Sequence, residues 1–271
     1  MSGKINLNGL LAISVIVTLV HTYAAEARWE DVVFYDDAVV ASDEIYGSVT
    51  VYDSPPETTT IEFYGRCQYL TMYDSSTLNL HEGGKFEEGG GWTRLYDSST
   101  VNVYEGAMIA LGSAALMNMY DLSTLNIYGG IVSLFFFAGD SSTINLYDGD
   151  LGSVTGFGDN SILNVYAGCV SGWIENFYVG PTATVNIYGY DFEYTPHGRW
   201  MPPIHGVGEG WWVTKLTGYG FEGDPITFWG LPDPETHDNI NLIPEPTTLL
   251  LLGLGGLGLL RICARDMTCS G

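Results

Sequence analysis

The stretch Asp97-Ser98-Ser99-Thr100-Val101-Asn102-Val103-Tyr104-Glu105-Gly106 decides the fold, because it recurs. Upstream it reads Asp74-Ser75-Ser76-Thr77-Leu78-Asn79-Leu80-His81-Glu82-Gly83, and downstream Asp121-Leu122-Ser123-Thr124-Leu125-Asn126-Ile127-Tyr128-Gly129-Gly130. Further copies run DSSTINLYDG from Asp140, DNSILNVYAG from Asp159 and a worn PTATVNIYGY from Pro181. ETTTIEFYGR, from Glu57, fits with Glu62 in the Asn position. The consensus is D-x-S-T-φ-N-φ-Y-x-G, with φ aliphatic. Its Asn residues (Asn79, Asn102, Asn126, Asn145, Asn164, Asn186) lie 23, 24, 19, 19 and 22 residues apart, a mean of about 21. Self-similarity at a fixed period marks a repeat architecture.

Within each copy the aliphatics alternate with Thr, Asn and Tyr, as in a strand with one buried face. Strand-like runs such as YLTMY (from Tyr69), ALMNMY (from Ala115) and LFFFA (from Leu134) precede the Asp positions, and no helix fits between. The period is half that of a propeller blade, and the leucine-rich ladder L-x-x-L-x-L is missing. The expected fold is therefore all-β. It is a single right-handed parallel β-helix of about 6–8 coils with terminal caps, plus apolar helices at both chain ends. Stacking puts the φ positions in inward ladders and gives the final Gly a corner needing positive φ. Insertions belong at turns, with residues 84–91 (GKFEEGGG) read as a bulging loop.

The expected organisation is a signal peptide at 1–27, an N-terminal cap or irregular first coil at 28–56, and repeats at 57–190. A Trp/Pro-rich cap follows at 191–242, and a terminal segment at 243–271. The cap holds Trp200, Trp211, Trp212 and Trp229 of the seven Trp, read as cap core ahead of sugar contact. At the N-terminus, Lys4 precedes the apolar run from Gly9 to Val20, and Ala25 and Ala27 offer the small residues of a signal cleavage site.

At the other end, Pro244-Glu245-Pro246 is followed by an apolar run, TTLLLLGLGGLGLL from Thr247 to Leu260, and then by Arg261. This order resembles the PEP-CTERM sorting signal of exported bacterial proteins, and the repeats ahead of it are similar to exported β-solenoids of planctomycete-like bacteria. The resemblance implies transient membrane anchoring, removal of the tail by an exosortase-type membrane protease, and passage to the cell surface or extracellular matrix. The chain departs from the pattern in having one Arg directly after the apolar run, where the family carries a cluster.

The net charge of −23 rests on 32 acids against 9 bases, and it argues against nucleic acid as a partner. Removing both terminal segments shifts it only to about −24. Cys67 and Cys169 then remain, several repeats apart and not expected to pair.

Three rows deserve a functional reading beside a structural one. The Asn row is read first as an amide-to-amide ladder, with a polar glycan-facing strip as the rival. The Tyr row (Tyr104, Tyr128, Tyr147, Tyr166, Tyr188, extended by His81 and Tyr64) is read as stacked packing, with glycan contact as its functional alternative. The Asp row (Asp74, Asp97, Asp121, Asp140, Asp159) is read as solvated turn caps, with weak Ca²⁺ binding as the alternative. No other cofactor is expected. Ice binding by the Thr-x-Asn strip is disfavoured by the unequal coils.

Hydrolase, zinc and phosphate-loop motifs are missing; His81-Glu82 sits on a turn and is no zinc helix. The reading is a structural, adhesive or glycan-contacting solenoid, not an enzyme. The alternative is a β-helix polysaccharide lyase or glycoside hydrolase, signalled by acids and bases converging near Lys85 to Arg94 or His197 to His205.

Overall fold

The computed structural model describes residues 30–86, 91–110, 116–171, 178–201, 211–230 and 238–244. The expected apolar helices at the two chain ends, the cleavage residues Ala25 and Ala27, and Glu245, Pro246 and Arg261 lie outside the described residues. Among the described residues there is no helix, and so none long and apolar enough to cross a membrane.

The chain winds as a β-solenoid. Each turn contributes to three parallel sheets. The first sheet stacks Ala38–Val40, Thr60–Phe63, Thr77–Leu80 and Thr100–Val103, then the openings of Thr124–Ala138 and Thr143–Phe157, then Ile162–Val165 and the opening of Thr184–Met201. From Thr77 to Ile187 the φ-N-φ register is unslipped and Asn faces Asn at every step, while a shift enters at Tyr128, which pairs with Asp148. The second sheet includes Lys85–Phe86, Met108–Ala110 and Gly168–Ser171. The third includes Glu30–Phe34, Trp92–Leu95, Leu116–Met119 and Tyr178–Val179.

Alternation explains the core. In the first sheet the φ residues Leu78, Leu80, Val101, Val103, Leu125, Ile127, Ile144 and Leu146 are fully buried, while the Thr and Asn between them are half-buried and point outward. The second sheet adds Cys67, Ile109, Val132, Leu151 and Val170; the third adds Leu70, Met72, Leu95, Met117, Met119 and Phe157. Three inward rows thus meet along the axis, and apolar side chains make up most of what is buried among the described residues, with Thr93 and the Ser of each Asp turn as polar exceptions.

The Asp turn is a compact device. Ser76 N–H donates to Tyr73 O across four residues, and the second residue, Asp74, has φ of 60°. Asp97, Asp121, Asp140 and Asp159 repeat it with φ of 50–57°. Only Gly, Asn and Asp visit this left-handed region readily, so the left-handed corner expected at Gly has a second counterpart at Asp. Behind each Asp sits a fully buried Ser: Ser76, Ser99, Ser123, Ser142 and Ser161. Ser76 and Ser142 hydroxyls donate to Tyr73 O and Gly139 O at 2.7 and 2.8 Å. The hydroxyls of Ser99, Ser123 and Ser161 have no partner, although the carbonyl three residues back is in place and already accepts the Ser N–H.

The unequal periods have one origin. Chain runs straight from second to third sheet within Thr124–Ala138 and Thr143–Phe157, the two 19-residue intervals. In the longer turns, residues 87–90, 111–115 and 172–177 intervene at this same corner. The loop expected over residues 84–91 is corrected accordingly: Lys85–Phe86 is a strand paired with Arg66-Cys67 and Met108-Ile109, so the surplus begins only after it.

Both expected end segments contain stacked strands. Glu30–Phe34 and Ile45–Val51 pair with each other in parallel, and Ile45–Val51 continues onto Arg66–Met72. At the C-terminal end, Thr184–Met201 leaves the first sheet and pairs antiparallel with Trp211–Tyr219. Pro225–Trp229 then pairs with Trp211–Tyr219 on one side and rejoins the second sheet beside Gly168–Ser171 on the other.

Gly149 and Gly83 separate conformational from steric cost. Both have positive φ, of 95° and 83°. A Cβ on Gly149 would lie 2.3 Å from Gly130 O, whereas one on Gly83 meets nothing within 4 Å. Gly83→Ala should cost about 1–2 kcal/mol, the ordinary left-handed penalty. Gly149→Ala should cost clearly more, because the backbone of two coils must part. Paired denaturant titrations check the order, and equal midpoints for the two variants would refute the steric account.

Candidate functional site

The outward face of the first sheet carries the repeat's polar residues. Asn102 Nδ2 donates to Asn79 Oδ1 at 2.8 Å, and the pattern continues through Asn126, Asn145, Asn164 and Asn186 at 2.8–2.9 Å. Every amide donates toward the N-terminal end, because one row with one register repeats one rotamer. Asn241 adds a further member, donating to Asn186 Oδ1 at 2.9 Å. The sequence reading missed it: Ile240-Asn241-Leu242 preserves φ-N-φ, but the spacing from Asp238 is wrong for the consensus. A primary amide has two donor hydrogens and two lone pairs. One of each is used within the ladder, so one donor and one lone pair per residue remain for an outside partner.

The ladder ends on a carboxylate. Asn79 Nδ2 donates to Glu62 Oε1 at 2.7 Å, and His81 Nε2 contacts Glu62 Oε2. Glu62 can only accept when ionised, which suits a row whose N–H groups all point toward it. The His81 contact chiefly, helped by the Asn79 amide and opposed by burial, holds the Glu62 carboxyl below its ordinary range.

The Tyr residues form one row of parallel rings. From Tyr64 through His81, Tyr104, Tyr128, Tyr147 and Tyr166 to Tyr188, ring centroids are 4.5–5.3 Å apart and planes lie within 14°. Phe221 packs edge-on beyond Tyr188. The ring faces are thus covered by one another, and the interior tyrosines show edges and hydroxyls. A sugar ring cannot lie flat on them as on an open aromatic platform. What they offer is polar contact beside the amides. Burial first, then neighbouring phenols, push Tyr128 and Tyr166 above the usual phenol range.

A second ladder was not read from the sequence. Tyr35, Tyr52, Tyr73, Tyr96 and Tyr120 stack at 4.7–5.5 Å on the other border of the first sheet. Its signal was available in the Tyr directly before Asp53, Asp74, Asp97 and Asp121. It ends where Gly139 and Gly158 take the position and the Phe137 ring lies against both. Open aromatic surface occurs instead on the third sheet, where Tyr69 and Trp92 are neighbours in adjacent turns and exposed, with the Arg94 guanidinium 4.3 Å from the Trp92 ring centroid.

The Asp row is organised by backbone donors. Asp74 N–H donates to Asp97 Oδ2 at 3.1 Å, and Asp97, Asp121 and Asp140 repeat this to the next coil at 3.1–3.4 Å. The amides freed by these four left-handed turns are thereby capped by the following carboxylate. Among the described residues no group of three or more His, Cys, Asp or Glu side chains is arranged to hold a metal ion.

Other candidates disperse. Arg66 and Lys85 are register neighbours on the second sheet, while Arg94 projects from the third. Glu87, Glu88 and His205 lie outside the described residues, as do the side chains of His197, Trp200, Trp211 and Trp212. The Lys215 ammonium sits 4.9 Å from the Trp229 ring centroid. Cys67 and Cys169 are free thiols; burial pushes both upward, Cys67 the further because it is wholly enclosed. Pro244 ends the strand Ile240–Pro244, in register with Gly189.

Residues 242–265 match the PEP-CTERM protein-sorting motif. That motif marks an exported, membrane-processed protein and is a substrate signal for exosortase. No curated protein and no solved structure matches the chain.

The Glu62 end of the ladder is pH-sensitive in a defined direction. Its folded-state pKa is depressed, so the unfolded chain binds more protons and the contribution is present above the ordinary Glu range of about 4.5. It is lost as pH falls through the lower, folded value. Glu62→Gln should flatten the acid limb of a stability–pH profile below that range, and an unchanged limb would refute the assignment. Within the row, Asn126→Ala strands a donor on Asn145 and an acceptor on Asn102, and should cost about 1–2 kcal/mol. Asn241→Ala breaks one exposed bond and should cost about half as much in the same denaturant titration.

Proposed function

We propose that the chain is an exported, non-enzymatic rod of the cell surface or extracellular polysaccharide matrix, with an adhesive, glycan-contacting role. Its terminal segment would anchor it transiently in the membrane until an exosortase-type protease removes the tail. The observation carrying this reading is the unbroken polar strip: an amide ladder from Glu62 to Asn241 beside the edges of a tyrosine ladder. Each amide has one donor and one acceptor to spare, and each interior Tyr presents its edge. Neutral sugar hydroxyls match that chemistry. The acidic surface disfavours polyanions.

Weak contacts repeated at each coil act together on a polymer, because the second contact forms at high effective concentration. Short oligosaccharides should therefore bind far more weakly than long chains. A reaction centre would need acids and bases gathered at one coil; here Arg66, Lys85 and Arg94 divide between two sheets.

The test is retention of the exported chain on immobilised neutral and acidic matrix polysaccharides of graded length, in Ca²⁺ and in chelator, with reducing-end release followed in parallel. Length-dependent retention on neutral chains, weakened about tenfold or more by joint Asn102→Ala and Asn145→Ala substitution, is the expected result. Shortening of any polysaccharide would replace this reading by that of a lyase or glycosidase. No retention on any of them would end the glycan role.

A further inference from the structure

The strand Ile240–Pro244 is claimed twice. It pairs in parallel with Val185–Gly189 as the last strand of the first sheet, and the matched sorting motif begins inside it, at Leu242. Its hold on the solenoid is specific. Asn239 Nδ2 donates to Gly180 O at 2.8 Å and to Ala183 O at 3.0 Å, and Asn239 O accepts Val185 N–H at 2.9 Å. Ile240 is buried, and Asn241 joins the amide ladder. By chain order this short strap follows a long excursion, residues 190–237, and leads straight into Pro244-Glu245-Pro246.

A protease that cuts within folded protein generally needs several residues in extended form, free of their native partners. Cleavage then tracks the population of the locally opened state. From Pro244 to the start of the apolar run at Thr247 there are three residues, spanning at most about 11 Å. A membrane protease reaching the motif therefore works against the face of the last coil.

We infer that the last coil and the sorting protease compete for residues 242–244, so that docking of the Asn239–Pro244 strap sets the rate of tail removal. The inference rests on the exosortase reading above. Opening the strap exposes Ile240 and frees the Asn239 and Asn241 amides, and it leaves the rest of the first sheet paired. The device thus controls processing without unfolding the rod.

The experiment uses the full chain in membranes carrying an exosortase-type protease, with tail removal followed by mass. Asn186 and Asn241 face each other in register. Adjacent strands lie about 4.8 Å apart, within reach of a disulfide between Cα atoms. Asn186→Cys combined with Asn241→Cys should slow tail removal about tenfold or more when oxidised and recover on reduction. Asn239→Ala, losing two bonds, should speed it about five- to thirtyfold. Unchanged rates in the oxidised chain, with the cross-link shown by mass, would overturn the strap. If the unsubstituted chain keeps its tail throughout, the exosortase reading falls and takes the inference with it. Circular dichroism of each variant shows that the solenoid itself is intact.

Discussion

Everything in this molecule follows from the fixed spacing between parallel strands. Neighbouring coils lie about 4.8 Å apart, so a residue that recurs once per coil meets its own kind, over and over. The sequence must then contain only residues that tolerate themselves as neighbours. Aliphatics do so by packing inward, amides by donating and accepting in one direction, and phenols by stacking. Carboxylates do so least readily, and here Asp97, Asp121, Asp140 and Asp159 are each turned to a backbone N–H of the preceding coil. The exposed, like-charged row survives because water screens it and because these four cap amides that the left-handed turns leave open.

That constraint also explains what could be read from the chain alone. Alternation and the recurring Asn gave the inward and outward faces, since both depend on near neighbours in sequence. The direction of the amide ladder and its ending on Glu62 depend on which rotamer fits between two coils, which local pattern does not encode. The second tyrosine ladder was visible as Tyr before Asp, yet it belongs to the end of one strand-like run and the start of the next motif. A motif cut at Asp divides it from the repeat it serves.

The closing strand shows a different limit. Ile240-Asn241-Leu242 is only three residues of consensus, separated from the other copies by the hairpin of Thr184–Met201 and Trp211–Tyr219. Its membership in the sheet is a tertiary fact: the chain must leave, fold back and return before Asn241 finds Asn186. Likewise, Lys85–Phe86 sits among glycines that read as loop, and it becomes a strand because Arg66-Cys67 and Met108-Ile109 supply partners on both sides. Local propensity was overridden there by pairing.

The corner between the second and third sheets gives the rod two unlike flanks. All three longer turns place their surplus residues there, at 87–90, 111–115 and 172–177, and the corners bearing Asp and Gly hold nearly constant length. A residue added beside the amide row would slip every partner in register, whereas one added at the permissive corner leaves the paired strands of all three sheets in register. Descendants of this gene can therefore diversify along one flank by insertion and deletion while the opposite flank stays frozen. The same rod can acquire new surface features without its scaffold being redesigned.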